Sequence, residues 1–266
     1  MIRFFVLVFA LAVPFWLLGA VLTPPDDFPI KLPLTALQLV CPFVAAAILV
    51  YRDEGVAGIA SLLKRVVSYR RIGPIWYVPI IFLMPAIYLL TYTVQRMLGR
   101  SLPDWQIQPV AVVTLFIVFF IAAVAEESGW TGYVFDPMQA RWGAALAAIV
   151  LGVVWALFHL VADLQGDHDL AWIGWQRLGG CALRILIAWV YNNTGKSVLA
   201  AVLLHTVDNL SWQLTPVGGS HYDPALNAPV TAAVAVIVTF LWGPRTLARY
   251  RYARSSANEV SRPGHR

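Results

Sequence analysis

Charged residues are scarce in this chain. Only 12% of its 266 residues are Asp, Glu, Lys or Arg, whereas 59% are hydrophobic. A soluble globular domain carries about 25% charged residues, so the composition excludes most soluble classes and indicates a protein with several membrane spans. The eleven Trp and ten Tyr also suit membrane–water interfaces, where these side chains gather.

Cysteine is scarce as well. Cys41 and Cys181 both lie in apolar segments, so no disulfide framework is expected. No serine or cysteine is arranged as a nucleophile with a base beside it. The formal net charge of +5 is explained better by a basic cytoplasmic side than by nucleic acid, so no nucleic-acid partner is expected.

Apolar runs long enough to cross a bilayer recur along the chain, which predicts an all-α fold, a polytopic bundle of about eight transmembrane helices. The N-terminal run is longer than a usual signal-peptide core and has no convincing cleavage site, so it is interpreted as the first span. The predicted spans are 2–23, 33–51, 74–98, 109–138, 142–162, 179–193, 196–215 and 228–248.

The basic residues predict the orientation of the bundle. They concentrate in the connection 52–73 and in the C-terminal tail, whereas the connections 24–32, 163–178 and 216–227 hold most of the remaining acids. By the positive-inside rule, both termini are expected on the cytoplasmic side of the plasma membrane. The amphipathic segment 58–71 is expected to lie on the inner surface as an interfacial helix.

The domain organisation predicted from this pattern is simple. Residues 1–250 form a single integral membrane domain, and residues 251–266 form a basic cytoplasmic tail. The lipid bilayer is therefore one expected partner. Nothing in the sequence indicates an oligomeric state.

Two adjacent glutamates, Glu126 and Glu127, follow the apolar run that begins near Pro109. If the span ended at Ala125, both carboxylates would simply face the inner interface. The residues that follow remain apolar, however, and the helix is predicted to continue to about Met138. That length buries the pair, and buried carboxylates in a membrane are costly and usually functional.

Other polar residues are expected at a similar depth. His159 lies in the fifth predicted span, and His205 and Asn209 share one face of the seventh because they are four residues apart. Each has a structural interpretation too, as a hydrogen-bonded core residue or an interhelical pair. Asp208 is interpreted as a helix-packing residue and Arg184 as a snorkelling surface charge.

These side chains are suited to hydrolysis of a peptide bond. A carboxylate in an apolar pocket is a suitable general base for water, and His or Asn side chains can donate to an oxyanion. A second option is a zinc site formed by Glu126, His159 and His205, with an open position for water. No HExxH motif is present.

The three motifs resemble those of the CPBP family of intramembrane proteases, the CAAX-protease and bacteriocin-processing (Abi) family. That family is marked by a glutamate pair with a downstream arginine, an FxxxH helix and an HxxxN-type helix. The matching segments here are Glu126–Thr131, Trp155–His159 and His205–Asn209. The order and spacing fit over about Val112 to Trp212, within a family-like core of about 109–215.

Two positions depart from the family pattern. Thr131 stands where the family usually has arginine, and Trp155 stands where it often has phenylalanine. The second change is mild because both side chains are large aromatics. The first removes a cation that would orient a glutamate or hold a substrate carboxylate, and Arg184 is the candidate replacement.

The resemblance implies roles for the five catalytic candidates. Glu126 would activate water and Glu127 would assist or orient it, while His159, His205 and Asn209 would bind the water or a metal and stabilise the oxyanion. The substrate would be a membrane-associated protein or peptide. Because the connections are short and look bacterial, a prenylated substrate is not expected.

Two other functional classes remain open. A catalytically silent immunity or adaptor protein would bind a membrane partner through the same cavity, and the loss of the family arginine favours it. A proton-coupled transporter would also use buried carboxylates and histidines, but it would favour an internal repeat or broken helix pair, and neither is clear here.

Overall fold

The structure is a computed structural model that describes residues 1–22, 33–105, 107–166, 168–216 and 218–248. These residues form helices and no strand. The predicted tail lies outside these residues. The α-helices are α1 (Ile2–Val21), α2 (Cys41–Val66), α3 (Tyr77–Met97), α4 (Pro109–Gly129), α5 (Asp136–Trp142), α6 (Ala144–Gln165), α7 (Leu170–Asn193), α8 (Val198–Leu214) and α9 (Pro224–Trp242). Short 3₁₀ turns, Leu34–Val40 and Pro74–Trp76, lead into α2 and α3.

The predicted helical membrane bundle is confirmed. By length and composition, six helical stretches of the described chain can cross a membrane: Ile2–Val21, Leu34–Val66, Pro74–Met97, Pro109–Trp142, Ala144–Gln165 and Pro224–Trp242. Helices α7 and α8 occupy the places of the sixth and seventh predicted spans but fall outside these six. Helix α8 has only 17 residues, and α7 carries Arg177 and Arg184. Both pack against several other helices.

Helix α2 is broken at Gly55. This residue adopts φ 66°, a left-handed conformation that glycine reaches without steric cost. The residues after it form a separate limb, 56–66, which coincides with much of the amphipathic segment predicted at 58–71. Its apolar side, which includes Leu62 and Val66, packs into the core.

Helix α4 does not end before the glutamate pair. A π-helical stretch, Trp130–Phe135, joins it to α5, so the helical path runs on to Trp142, past the predicted end at Met138. One consequence is that both glutamates are buried. Gly129 allows this path because α2 crosses here, and a Cβ at that position would collide with the backbone of Pro42.

Helix α7 begins nine residues before the predicted span. Asp169 caps its first turn by accepting a hydrogen bond from the backbone N–H of Trp172 at 2.7 Å. The connection predicted at 163–178 therefore shrinks to a few residues. Helix α9 likewise begins earlier than predicted, at Pro224 with Asp223 as its cap. It ends at Trp242, and Gly243 after it adopts φ 79°.

The helices enclose the site region from several sides. Helix α6 packs on α7, α7 on α9, α4 on both α2 and α8, and α3 on α8. The aromatic side chain of Trp130, directly after α4, is fully buried and meets Phe4 of α1 and Phe158 of α6 edge-on. These contacts fix α4 between the N-terminal helix and the helices that carry the histidines.

Candidate active site

A cavity of about 400 Å³ opens among α3, α4, α6, α7, α8 and α9. Four of the five predicted catalytic residues line it, namely Glu126, His159, His205 and Asn209. The structure therefore brings together side chains from three helices that lie far apart in sequence. Glu127, the fifth, is behind the cavity wall.

Glu126 presents its carboxylate to the cavity. It is 6% exposed, and its Oε2 accepts a hydrogen bond from the indole N–H of Trp155 at 2.8 Å. The same oxygen lies 3.9 Å from Nε2 of His159. A carboxylate oxygen accepts more than one hydrogen bond, so Glu126 retains capacity for a water or substrate group.

Glu127 is fully buried and its charge is compensated on several sides. Arg184 approaches both carboxylate oxygens, with Nη2 at 2.7 Å from Oε1 and Nη1 at 2.8 Å from Oε2. Nδ1 of His205 lies 2.9 Å from Oε1, and the hydroxyl of Thr131 donates to Oε2 at 2.5 Å. Such complete satisfaction is what a buried charge requires.

Arg184 corrects one interpretation made from the sequence. It is not a snorkelling surface charge, because it is only 2% exposed and lies inside the bundle. Besides the two contacts with Glu127, its guanidinium stacks over the ring of Trp155, 4.3 Å from the centroid. From the sequence, Arg184 is the candidate replacement for the family arginine. A replacement has to reach a glutamate of the pair, and Arg184 reaches Glu127.

The two histidines are held through their Nδ1 atoms. Nδ1 of His159 lies 2.9 Å from the carbonyl oxygen of Trp155, and Nδ1 of His205 faces Glu127. Both partners are acceptors, so each Nδ1 carries the hydrogen. In the neutral form this leaves Nε2 of each ring without a hydrogen, able to accept a hydrogen bond.

Asp208 and Asn209 both line the cavity. Asp208 is not only a helix-packing residue, although it does meet α3, where the hydroxyl of Tyr88 donates to its Oδ1 at 3.2 Å. The predicted common face of His205 and Asn209 thus forms one wall of the cavity.

Arg65 supports the site from the far side, a role that the sequence did not reveal. It donates to the carbonyl oxygen of Gly132 at 2.6 Å and to the hydroxyl of Tyr191 at 2.5 Å, and it pairs with Asp136 at 3.3 Å. It thereby ties the limb after Gly55 to the π-helical stretch that follows the glutamates. Sequence reasoning placed Arg65 among interfacial charges because its partners are distant in the chain.

Zinc binding by Glu126, His159 and His205 is the second option that the sequence suggested. Across the described parts of the chain, no three His, Cys, Asp or Glu side chains are arranged to hold a metal ion. Nδ1 of both histidines is engaged by an acceptor, whereas Nε2 of each ring remains available in the neutral form. Zinc binding by these three residues stays a prediction.

Comparison with known proteins finds a family match over the part of the chain that contains this site. Residues 108–211 match the model of the family described as "Rce1-like: Type II CAAX prenyl endopeptidase Rce1-like", and all five catalytic candidates fall within that match. A relative named CAAX prenyl protease 2, from Methanococcus maripaludis, is 25% identical over 226 residues, covering 79% of this chain and 83% of its own length. The match and the relative both support a relation of this chain to the CPBP/CAAX protease family. Both findings support a CAAX-type intramembrane protease.

Proposed function

We propose that this chain is an intramembrane endopeptidase that hydrolyses a peptide bond of a membrane-associated protein or peptide with a water activated by Glu126. The observation that carries the proposal is the difference between the two glutamates. Glu126 faces the cavity and keeps acceptor capacity, whereas Glu127 is committed to Arg184, His205 and Thr131.

The proposed nucleophile is a water held between Glu126 and His159. Oε2 of Glu126 and Nε2 of His159 are 3.9 Å apart, so one water reaches both at about 2.8 Å each. Glu126 takes a proton from this water as it attacks the scissile carbonyl carbon. The same carboxyl group then returns the proton to the leaving amine when the tetrahedral intermediate collapses.

The proposed oxyanion site is the wall formed by α8. The amide N–H₂ of Asn209 donates to the oxygen that becomes negative when water adds to the carbonyl. His205 contributes from the same face of the helix when it is protonated, a state that the neighbouring Glu127 carboxylate stabilises. Glu127 and Arg184 act through His205 and are positioning residues.

A silent adaptor is the alternative class, and the observation that favours it is Thr131 in place of the family arginine. Arg184 weakens this alternative because it supplies a guanidinium to Glu127 from α7. The site then has the cation that the motif lacks. We propose that Arg184 fills the role of the family arginine.

The proposed location is the plasma membrane with both termini cytoplasmic, which rests on the distribution of basic residues. The relative from Methanococcus maripaludis is named for a prenyl protease activity. The bacterial character of this chain favours a substrate without a prenyl group, and the experiment below identifies the substrate directly.

The proposal is tested by comparing membrane-protein N-termini in cells that carry the native protein, Glu126→Gln or Glu54→Gln at equal expression. Glu54 is exposed on α2, so its variant controls for the loss of one carboxylate. We expect new termini with the native protein and with Glu54→Gln, and none with Glu126→Gln, since general-base loss lowers rates about 10²–10⁴-fold. Identical termini in all three strains would reject the enzyme and favour the adaptor.

Metal dependence is tested with the cleavage reaction that produces these new termini. Purified native protein is analysed for bound zinc, and cleavage is measured before and after treatment with a zinc chelator and readdition of Zn²⁺. The water-activation proposal expects cleavage to survive chelation. Loss of cleavage with recovery on Zn²⁺, together with zinc loss in His159→Ala and His205→Ala, would favour the metal site instead.

A further inference from the structure

Asp208 is a partly buried carboxylate that the proposed mechanism does not use. It lies on α8 one turn after His205, which places it about 4.5 Å further along the helix, and it lines the cavity. Its Oδ1 accepts the hydroxyl of Tyr88 at 3.2 Å, and Oδ2 accepts no hydrogen bond from the described residues. An ionisable group that faces a cavity inside a membrane-spanning bundle is a functional candidate by default.

The three carboxylates that line the cavity differ in their cationic neighbours. Asp163 is paired with Arg177, whose Nε lies 2.8 Å from Oδ2, and Glu126 faces His159 at 3.9 Å. Asp208 has no Lys, Arg or His nitrogen of the described chain at ion-pair distance. His205, its nearest histidine along α8, directs Nδ1 to Glu127 instead.

Aromatic side chains line the same cavity as the unpaired carboxylate, and one of them, Tyr88, contacts it directly. The rings of Tyr88 and Tyr222 stack with centroids 5.5 Å apart, and Trp172 meets Tyr222 edge-on at 6.2 Å. Trp212, one turn after Asp208, also lines the cavity. Carboxylate and aromatic faces together attract a cation, and the rings also accommodate the apolar stem of a basic side chain.

We propose that Asp208, with Tyr88 and Tyr222, forms a subsite for a lysine or arginine side chain of the substrate. The inference rests on the proposed function, which places the peptide in the same cavity. Since Asp208 lies one turn from His205, the basic residue would bind a short distance from the scissile bond. The cavity of about 400 Å³ is large enough for such a segment of chain.

Binding is tested separately from cleavage with two small probes of matched shape. N-butylguanidinium carries the charge of an arginine side chain, and N-butylurea is its neutral counterpart. Each is titrated into purified Glu126→Gln protein in detergent and followed by tryptophan fluorescence, because Trp172 and Trp212 line the cavity. The same titrations are made with Asp208→Asn and with Asp53→Asn added to that background.

We expect saturable binding of N-butylguanidinium to the Glu126→Gln protein and to its Asp53→Asn variant, and no saturable binding of the urea. Asp53 is exposed on α2 and pairs with Arg52, so its variant controls for net charge. Asp208→Asn should weaken binding about tenfold or more, because the cation loses its only counter-charge in the subsite. Unchanged affinity in the Asp208→Asn variant, or no saturable binding at all, would overturn the subsite.

Two further variants separate the subsite from the local structure. Asp208→Glu keeps the charge and should restore much of the binding that Asp208→Asn loses. Tyr88→Phe removes the hydroxyl that bonds Asp208 but keeps the ring, and binding should be retained. Loss of binding in both variants to the level of Asp208→Asn would indicate a structural role only.

Mapping the cleavage sites in cells tests the proposed protease function and the proposed subsite together. Termini that depend on Glu126 should carry Lys or Arg at one fixed distance from the cut, and Asp208→Asn should abolish that preference. Cleavage without such a preference would overturn the subsite and leave the protease intact. Probe binding without any cleavage would retain the cation site and reject the protease.

Discussion

The carboxylates of Glu126 and Glu127 are neighbours in sequence but occupy two different regions of the molecule. The region around Glu127 is closed, and its charge is met by Arg184 and His205. The region around Glu126 is open to the cavity, where Trp155 provides a hydrogen bond and His159 lies nearby. Successive helical residues point about 100° apart, so one residue faces the interior of the bundle and the next faces the cavity.

The two regions suit two different tasks of a hydrolytic site. A charged group that activates water has to remain accessible, whereas a charge that orients other groups is held best when it is fully paired. The closed region supports the open one, because Glu127 fixes His205 and Arg184 lies against Trp155, which contacts Glu126. Three predictions test this contrast.

The largest effect on stability is expected from breaking the closed region. Glu127→Gln leaves Arg184 without its counter-charge, and Arg184→Met removes the guanidinium that contacts both carboxylate oxygens of Glu127. Each should lower the free energy of unfolding by about 3–5 kcal/mol, measured by thermal or SDS-induced unfolding in micelles.

The double variant Glu127→Gln/Arg184→Met supplies the control for that experiment. With both charges removed, no buried charge is left unpaired, so most of the lost stability should return. Glu126→Gln should stay close to the native protein in the same assay. Equal destabilisation by Glu126→Gln and Glu127→Gln would contradict the division into a closed and an open region.

A smaller effect is expected from Thr131→Val. The hydroxyl of Thr131 donates to Oε2 of Glu127, and Val keeps nearly the same shape without that donor. Since Arg184 and His205 remain, the unfolding free energy should fall by about 1.5–3 kcal/mol. Thr114→Val on the exposed face of α4 is the matched control, and it should leave stability unchanged. Equal stability of both variants would show that the Thr131 contact contributes nothing.

The smallest effect is expected in the open region. Trp155→Phe introduces the residue that the family often has and removes the indole N–H that donates to Glu126. Because that carboxylate borders the cavity, water can replace the lost donor, so stability should change by less than about 1 kcal/mol and cleavage by less than about tenfold. Trp175→Phe, at an exposed position of α7, is the control. A loss as large as that of Glu127→Gln would show that this region is closed as well.

Much of the fold was predictable because lipid leaves a chain few choices. Within a bilayer every backbone polar group must be satisfied internally, so long apolar runs become helices. The predicted span 74–98 agrees closely with the structure, and the helical path past Glu126 was expected from the apolar residues after it. Helix starts were less accurate where a capping aspartate, such as Asp169, extended the helix into a polar stretch.

The candidate site was predictable only in part. His159, His205 and Asn209 stand out in the sequence because polar residues are rare in apolar spans. Arg184 carries the same signal but was interpreted first as a snorkelling surface charge, whereas Arg65 lies in the basic connection 52–73, where a charge does not stand out. A single sequence does not show which helix supplies the partner of a buried charge, and these partners lie 57 and 67 positions away.

The sequence by itself determined that this protein is a helical membrane bundle and which residues are candidates for its chemistry. It did so because hydropathy and helical period are local properties of the chain. Only the tertiary structure decided that Arg184 pairs with Glu127 and that Glu126 faces the cavity. It also decided that Asp208 has no cationic partner among the described residues. Those assignments depend on how α4, α6, α7 and α8 pack, because the energy of a buried charge is set by neighbours across the bundle.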